Sequence, residues 1–155
     1  VYDPYVEKDK IKISGAIPVN NIIENLPKMD AVTLHCPKND ETTDLFTKKE
    51  FDLMKKSSFI INCARGGILN EEDLYEALTN KKIAGAGLDV FDVEPSPSSN
   101  PLFKLNNVIL SPHIAGVTVE STVRMATETV QNVLDVLDDK VNQSVVVNNK
   151  EIGMK

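Results

Sequence analysis

The sequence predicts an α/β fold built on a parallel sheet. Three observations carry this. Short, near-continuous apolar runs recur at residues 31–36, 58–63, 83–90 and 108–110, as expected of strands buried on both faces. Segments with helical spacing and recognisable start signals lie among them. Strand and helix therefore alternate, as in a chain of βαβ units.

Upstream of the first firm strand the pattern is weaker. Tyr2-Asp3 resembles a strand end, residues 11–19 are expected to hold a short strand, and Asn20 or Asn21 to start a helix stopping near Pro27. Residues 31–36 (Ala-Val-Thr-Leu-His-Cys) form the first firm strand, stopped by Pro37. Thr47 and Glu50 then make a capping box, with Phe46 and Phe51 at the staple positions around it. After the run at 58–63, Asn70 caps a second helix, with Asp73 three residues on and Leu69 and Leu74 as a second staple. Lys81 and Lys82 suit that helix's negative C-terminal end. The Gly-rich run at 83–90 and the run at 108–110, followed by Pro112, complete the four strands.

Two segments break the alternation. Residues 91–106 form a long loop with Pro95, Pro97 and Pro101. Such a loop in a compact α/β domain is functional or a surface excursion. A last helix begins near Thr118, where Val119, Val123, Ala126, Val130, Val133, Leu134 and Leu137 make one apolar stripe. It ends in an acidic turn at 135–139, and the tail beyond carries Val145-Val146-Val147.

Composition narrows the function. The 155 residues are 41% hydrophobic and 26% charged, ordinary for a globular protein. No run approaches the roughly 20 apolar residues of a membrane helix, so no membrane partner is expected. The net charge of −6 argues against nucleic acid as a partner. Two cysteines, Cys36 and Cys63, with no Cys-x-x-Cys and scarce His, make a metal site improbable. Both cysteines end apolar runs and are expected to be small core residues, consistent with a reducing cytoplasm.

Ligands of open parallel sheets bind beyond the carboxyl ends of the strands. The residues just after each strand are Asp3, then His35-Cys36-Pro37, then 62–67, then 89–94, then Ser111-Pro112-His113. They hold a guanidinium, acids, both His and both Cys. Arg65, before Gly66-Gly67, can grip a carboxylate with two parallel hydrogen bonds. His113 is suited to pass a proton near neutral pH. A carboxylate such as Glu94 orients an imidazole that it meets. Asp3 at a strand end is placed to accept ribose hydroxyls. Each also has a plain alternative: an exposed loop Arg, a loop-to-helix His, a solvated loop acid, an Asp-Pro turn.

Four blocks together resemble one family. They are residues 30–37 (Asp-Ala-Val-Thr-Leu-His-Cys-Pro), 59–67 (Phe-Ile-Ile-Asn-Cys-Ala-Arg-Gly-Gly) followed by Glu72-Asp73-Leu74, 87–91 (Gly-Leu-Asp-Val-Phe) with Glu94-Pro95, and 111–116 (Ser-Pro-His-Ile-Ala-Gly). Over roughly residues 1 to 140 the chain resembles part of the NAD-binding domain of the D-isomer-specific 2-hydroxyacid dehydrogenases. The resemblance implies a Rossmann-like parallel sheet with flanking helices. It implies NAD as cofactor, a 2-oxo or 2-hydroxy acid as substrate, and a homodimer. His113 would be the acid/base, Glu94 its partner, and Arg65 the carboxylate anchor that helps polarise the carbonyl. Asp89 would face the nicotinamide carboxamide, and Asp3, with Pro4, the adenosine ribose. His35, Cys36, Pro37, Cys63, Ala64 and Gly116 would line the cofactor cleft. The block at 111–118 has the flavour of the phosphoglycerate and hydroxypyruvate branch.

The family's Gly-x-Gly-x-x-Gly phosphate loop, with its strand and helix, has no counterpart in the sequence. Residues 1–116 are therefore expected to be the C-terminal portion of the dinucleotide-binding domain, and 117–155 a crossover helix with a return segment. The substrate domain is expected to be absent, and the chain alone to bind NAD poorly and not turn over. Two alternatives stay open. Corepressors resembling this family keep the same Arg, Glu and His, so an NAD-sensing binding protein fits. So does an inactive piece that acts only in association.

Overall fold

A computed structural model describes residues 1–148 and 151. Four strands form one parallel sheet in the order β1-β2-β3-β4: β1 (Ala31–Leu34), β2 (Phe59–Asn62), β3 (Gly85–Leu88) and β4 (Val108–Leu110). Each connection runs back over the sheet before the next strand begins in the same direction. Helix α2 (Lys48–Leu53) joins β1 to β2, and α3 (Glu71–Thr79) joins β2 to β3. This is the Rossmann-like α/β architecture expected.

Local signals set the helices. At the start of α2, Glu50 Oε2 accepts both the amide and the hydroxyl of Thr47, at 2.9 and 2.7 Å. Phe46 and Phe51 pack with ring centroids 6.2 Å apart. At α3, the Asn70 side chain accepts the Asp73 amide at 3.1 Å, while Leu69 and Leu74 are buried. The core lies between helices and sheet, with Ile60, Ile68, Leu74, Ile83 and Leu102 closed to solvent or nearly so. The loop at 91–106 is anchored by a 3-10 helix, Pro101–Lys104, which buries Leu102.

The N-terminal segment differs from expectation. No strand forms at Tyr2-Asp3 or along 11–19; α1 (Lys8–Ile13) occupies part of that stretch. Only Ile11 of α1 is buried. The extended tendency survives as two hydrogen bonds, Val19 amide to Val1 carbonyl at 2.9 Å and the Val1 amine to Ile17 carbonyl at 2.6 Å. Two bonds make a pairing, not a ladder. The helix expected after Asn20 is reduced to an Asn21-capped turn and the 3-10 helix Leu26–Lys28, which carries Pro27 in its first turn.

Cys63 is exposed, contrary to a core role. Strand parity explains it: Ile60 and Asn62 turn inward, so Cys63 falls on the opposite face. Cys36 shares the inward parity of Leu34, is half-buried and packs against the core.

Residues Val1–Ala115 form one compact unit and Gly116–Lys155 another. In the second unit, α4 (Val119–Leu137) starts at Thr118, whose side chain accepts the Ser121 amide at 3.0 Å. None of its side chains is buried, and the predicted apolar stripe is exposed. Val145 lies in a further 3-10 helix, Gln143–Val145. No helix among the described residues is long and apolar enough to cross a membrane.

Candidate active site

Because the four strands are parallel, their carboxyl ends gather on one rim of the sheet, where such sheets bind ligands. Asn62 closes β2 and is 1% exposed. Its Oδ1 accepts the Ala64 amide at 3.0 Å, and its Nδ2 donates to the Arg65 carbonyl at 2.9 Å. This clamp turns the chain tightly through Cys63 and Ala64 and leaves the Arg65 side chain outside. Arg65 Nη1 donates to the Ala64 carbonyl at 2.6 Å; its other donors meet no partner among the described residues. Gly66 is required next, since a Cβ there would stand 1.8 Å from the Phe91 carbonyl oxygen.

Asp89 lies just past β3 and is 2% exposed. Its Oδ1 accepts the Ser111 hydroxyl at 2.6 Å and the Ile114 amide at 2.8 Å; its Oδ2 accepts the Ala115 amide at 2.8 Å. The Asp89 carbonyl accepts the His113 amide at 2.8 Å. Together these bonds tie the end of β3 to the loop after β4. They hold His113 at φ 55°, a left-handed conformation that costs about 1–3 kcal/mol for an ordinary side chain. Burial pushes the Asp89 carboxyl up, but the Ser111 hydroxyl, the Ala115 and Ile114 amides and the nearby His113 outweigh it, leaving it below the usual range. Both carboxylate oxygens of Asp89 are thus engaged by this loop.

The loop at 91–106 delivers Glu94. Its Oε1 accepts the Phe91 amide at 2.9 Å, and its Oε2 meets His113 Nδ1 at 2.7 Å. The His113 contact and the Phe91 amide hold the Glu94 carboxyl below its ordinary value, against burial. With Nδ1 engaged, Nε2 is the ring atom left for a ligand; it meets no partner among the described residues. Beside the pair opens a cavity of ≈ 640 Å³ walled by Phe91, Phe103, Leu110 and Pro112. A paired imidazole beside an accessible cavity can give and take a proton.

The other expected residues are more dispersed. Asp3 Oδ1 accepts the Tyr5 and Val6 amides at 2.9 and 3.1 Å, and its Oδ2 has no partner among the described residues. Asp3 and Pro4 border a polar hollow of ≈ 540 Å³. His35 Nε2 meets the Thr33 hydroxyl at 2.9 Å, and the Pro37 carbonyl accepts the Thr42 hydroxyl at 2.6 Å. Burial raises the Cys36 thiol pKa. Ala64 is buried. Gly116 belongs to the second unit, where its carbonyl accepts the Ser121 hydroxyl at 2.7 Å. Among the described residues no group of His, Cys, Asp and Glu is placed to share a metal ion.

The structure thus joins Asp89, Glu94 and His113 in one network. Sequence reasoning assigned no role to Asn62 or Ser111, which organise the site loops. The available signal was a polar side chain closing an apolar run.

A family profile described as D-isomer specific 2-hydroxyacid dehydrogenase, NAD binding domain, matches residues 1–115. D-3-phosphoglycerate dehydrogenase of Methanocaldococcus jannaschii is 40% identical over 145 residues, covering 94% of this chain and 28% of that protein. Glyoxylate reductase of Thermofilum pendens is 42% identical over 127 residues, covering 82% of this chain and 37% of that protein. The solved structure of Aquifex aeolicus D-lactate dehydrogenase complexed with NAD and lactic acid superposes with a TM-score of 0.79 at 30% identity. It covers 90% of this chain and 46% of that one. The chain spans less than half the length of each of these relatives.

Proposed function

The chain belongs to the D-isomer-specific 2-hydroxyacid dehydrogenase family, matching its NAD-binding domain over residues 1–115, and from that premise we propose that the protein carrying it interconverts 2-oxo and 2-hydroxy acids with NAD(H). The observation that carries this is the 2.7 Å contact between Glu94 Oε2 and His113 Nδ1 on the rim of the sheet. It fixes the ring, counters the charge of the imidazolium, and leaves Nε2 toward the substrate.

The residues present fit part of a dinucleotide. Asp3 offers a carboxylate oxygen that no described group uses, suited to ribose hydroxyls. Pro4 stands beside it. His35, Cys36 and Pro37 follow β1, and Cys63 and Ala64 follow β2; in this reading they border the cofactor. When bound, the nicotinamide supplies or takes up the hydride. Arg65 holds the substrate carboxylate with its free donors and draws electron density from the carbonyl. His113 Nε2 gives its proton to the carbonyl oxygen during reduction and recovers one during oxidation. Asp89 supports this from below by fixing the loop that carries His113.

The names of the relatives, D-3-phosphoglycerate dehydrogenase and glyoxylate reductase, make small 2-oxo acids the substrates to test first. The test is NADH oxidation by the full-length protein across a panel including glyoxylate and hydroxypyruvate. Turnover of at least one is expected. NADH binding without turnover of any would overturn the catalytic reading in favour of a binding protein.

A further inference from the structure

Glu94 sits in a loop without regular structure, so something must hold that loop in register for the carboxylate to meet His113. Among the described residues, the Glu94 side chain itself reaches only the Phe91 amide and His113. Besides the burial of Phe91 and Leu102, the other side-chain hydrogen bonds that tie this loop to another element come, among the described residues, from one residue. Glu71, in the first turn of α3, accepts the Asp92 amide on Oε1 at 2.6 Å and the Asn100 side-chain amide on Oε2 at 3.0 Å. Asn100 is 8% exposed and bonds Ser96 Oγ at 3.0 Å, while its Oδ1 accepts the Leu102 amide at 3.0 Å. One carboxylate thus grips the loop on both sides of Glu94.

The same grip reaches the Arg65 side of the rim. The 91–92 peptide that Glu71 holds abuts Gly66, where a Cβ would lie 1.8 Å from the Phe91 oxygen and 2.8 Å from the Asp92 nitrogen. A shift of Asp92 therefore presses on the turn that presents Arg65. Close packing transmits such shifts because no void absorbs them.

We propose that Glu71 is a positioning residue that sets the Glu94–His113 pair, and with it the Arg65 turn, through its two bonds to the 92–100 loop. The proposal rests on the dehydrogenase reading for its effect on turnover, but not for its effect on Glu94. Glu71 touches no reacting atom. Its neighbour Glu72 is exposed, occupies the same helical turn, carries the same charge and makes no bond to the loop, so Glu72→Ala controls for lost charge at the helix N-terminus.

The experiment titrates the Glu94 side-chain carboxyl by carbon NMR in wild type, Glu71→Ala, Glu71→Gln and Glu72→Ala, and measures kcat and KM in the full-length protein. The charged groups facing Glu94 are His113, which lowers its pKa, and Asp89, which raises it. In Glu71→Ala the Glu94 pKa is expected to rise toward the ordinary carboxylate value as the His113 and Phe91 contacts loosen. Glu71→Gln keeps an acceptor for Asp92 but loses the one facing Asn100, so its value should fall between. Glu72→Ala should match wild type. In turnover, Glu71→Ala should lower kcat about tenfold with the KM for the 2-oxo acid little changed, as for lost proton-transfer geometry. A Glu94 pKa unmoved in Glu71→Ala would overturn the proposal. If that variant does not fold, a wild-type value in Glu71→Gln overturns it instead. Absence of turnover in wild type would sink the dehydrogenase reading, while the carboxyl titration still decides the role of Glu71.

Discussion

His113 keeps a left-handed backbone because Asp89 fixes the loop around it, with a carbonyl on the His113 amide and a carboxylate on Ser111, Ile114 and Ala115. Bonds to a buried charged acceptor contribute about 1.5–3 kcal/mol each, and losing one partner leaves the others unsatisfied. Asp89→Asn replaces an acceptor oxygen by a donor that faces a hydroxyl or an amide. It should therefore lower stability at pH 7 by about 2–3 kcal/mol. The pH dependence follows from linkage. The folded-state pKa of Asp89 is depressed, so its contribution is fully present above the unfolded value of about 3.9. It is lost as pH falls through the lower folded value. Urea midpoints should show a wild-type to Asp89→Asn gap that is wide at pH 7 and shrinks below about pH 4. A gap equally wide at pH 2.5 would mean that the buried charge is not its source. In the sequence, Asp89 was visible as an acid at a strand end. Its task was not, because its partners lie 22 to 26 positions away on the next strand-end loop.

The elements that the sequence marked locally are the ones that formed as expected. Thr47 with Glu50, and Asn70 with Asp73, act within one turn of chain, so their geometry depends on nothing distant. The strands expected near the N-terminus do not form, for the opposite reason. A strand needs a neighbour for its backbone bonds, and among the described residues the strand-like pairing of residues 11–19 is limited to two bonds with Val1, the rest of their backbone bonds being local helix and turn bonds. The misplaced Cys63 was a parity error: one residue along a strand exchanges its two faces. These contrasts make a prediction for α3. Asn70→Ala removes the N-cap acceptor and should cost about 1 kcal/mol, seen as a lower urea midpoint with unchanged slope. Because α3 also carries Glu71, loss of the cap should loosen the 92–100 loop. An unchanged midpoint would show that α3 is held by packing of Leu74 and Leu78 alone.

At the scale of the molecule, parallel order gathers the loops after β1, β2, β3 and β4 on one rim. That gathering was legible from the βαβ alternation before any contact was known. Spacing did not show the Glu94–His113 contact, which spans 19 residues of chain and depends on how an irregular loop is tied down at Glu71 and Asn100; only the family resemblance implied it. The central claim is that this pair moves the proton in a 2-oxo acid reduction. The most direct measurement compares kcat of the full-length protein with that of His113→Asn, alongside NADH affinity by fluorescence titration. A fall in kcat of about 10²–10⁴-fold with NADH affinity unchanged is the result predicted for loss of a general acid. Turnover undiminished in His113→Asn would contradict it.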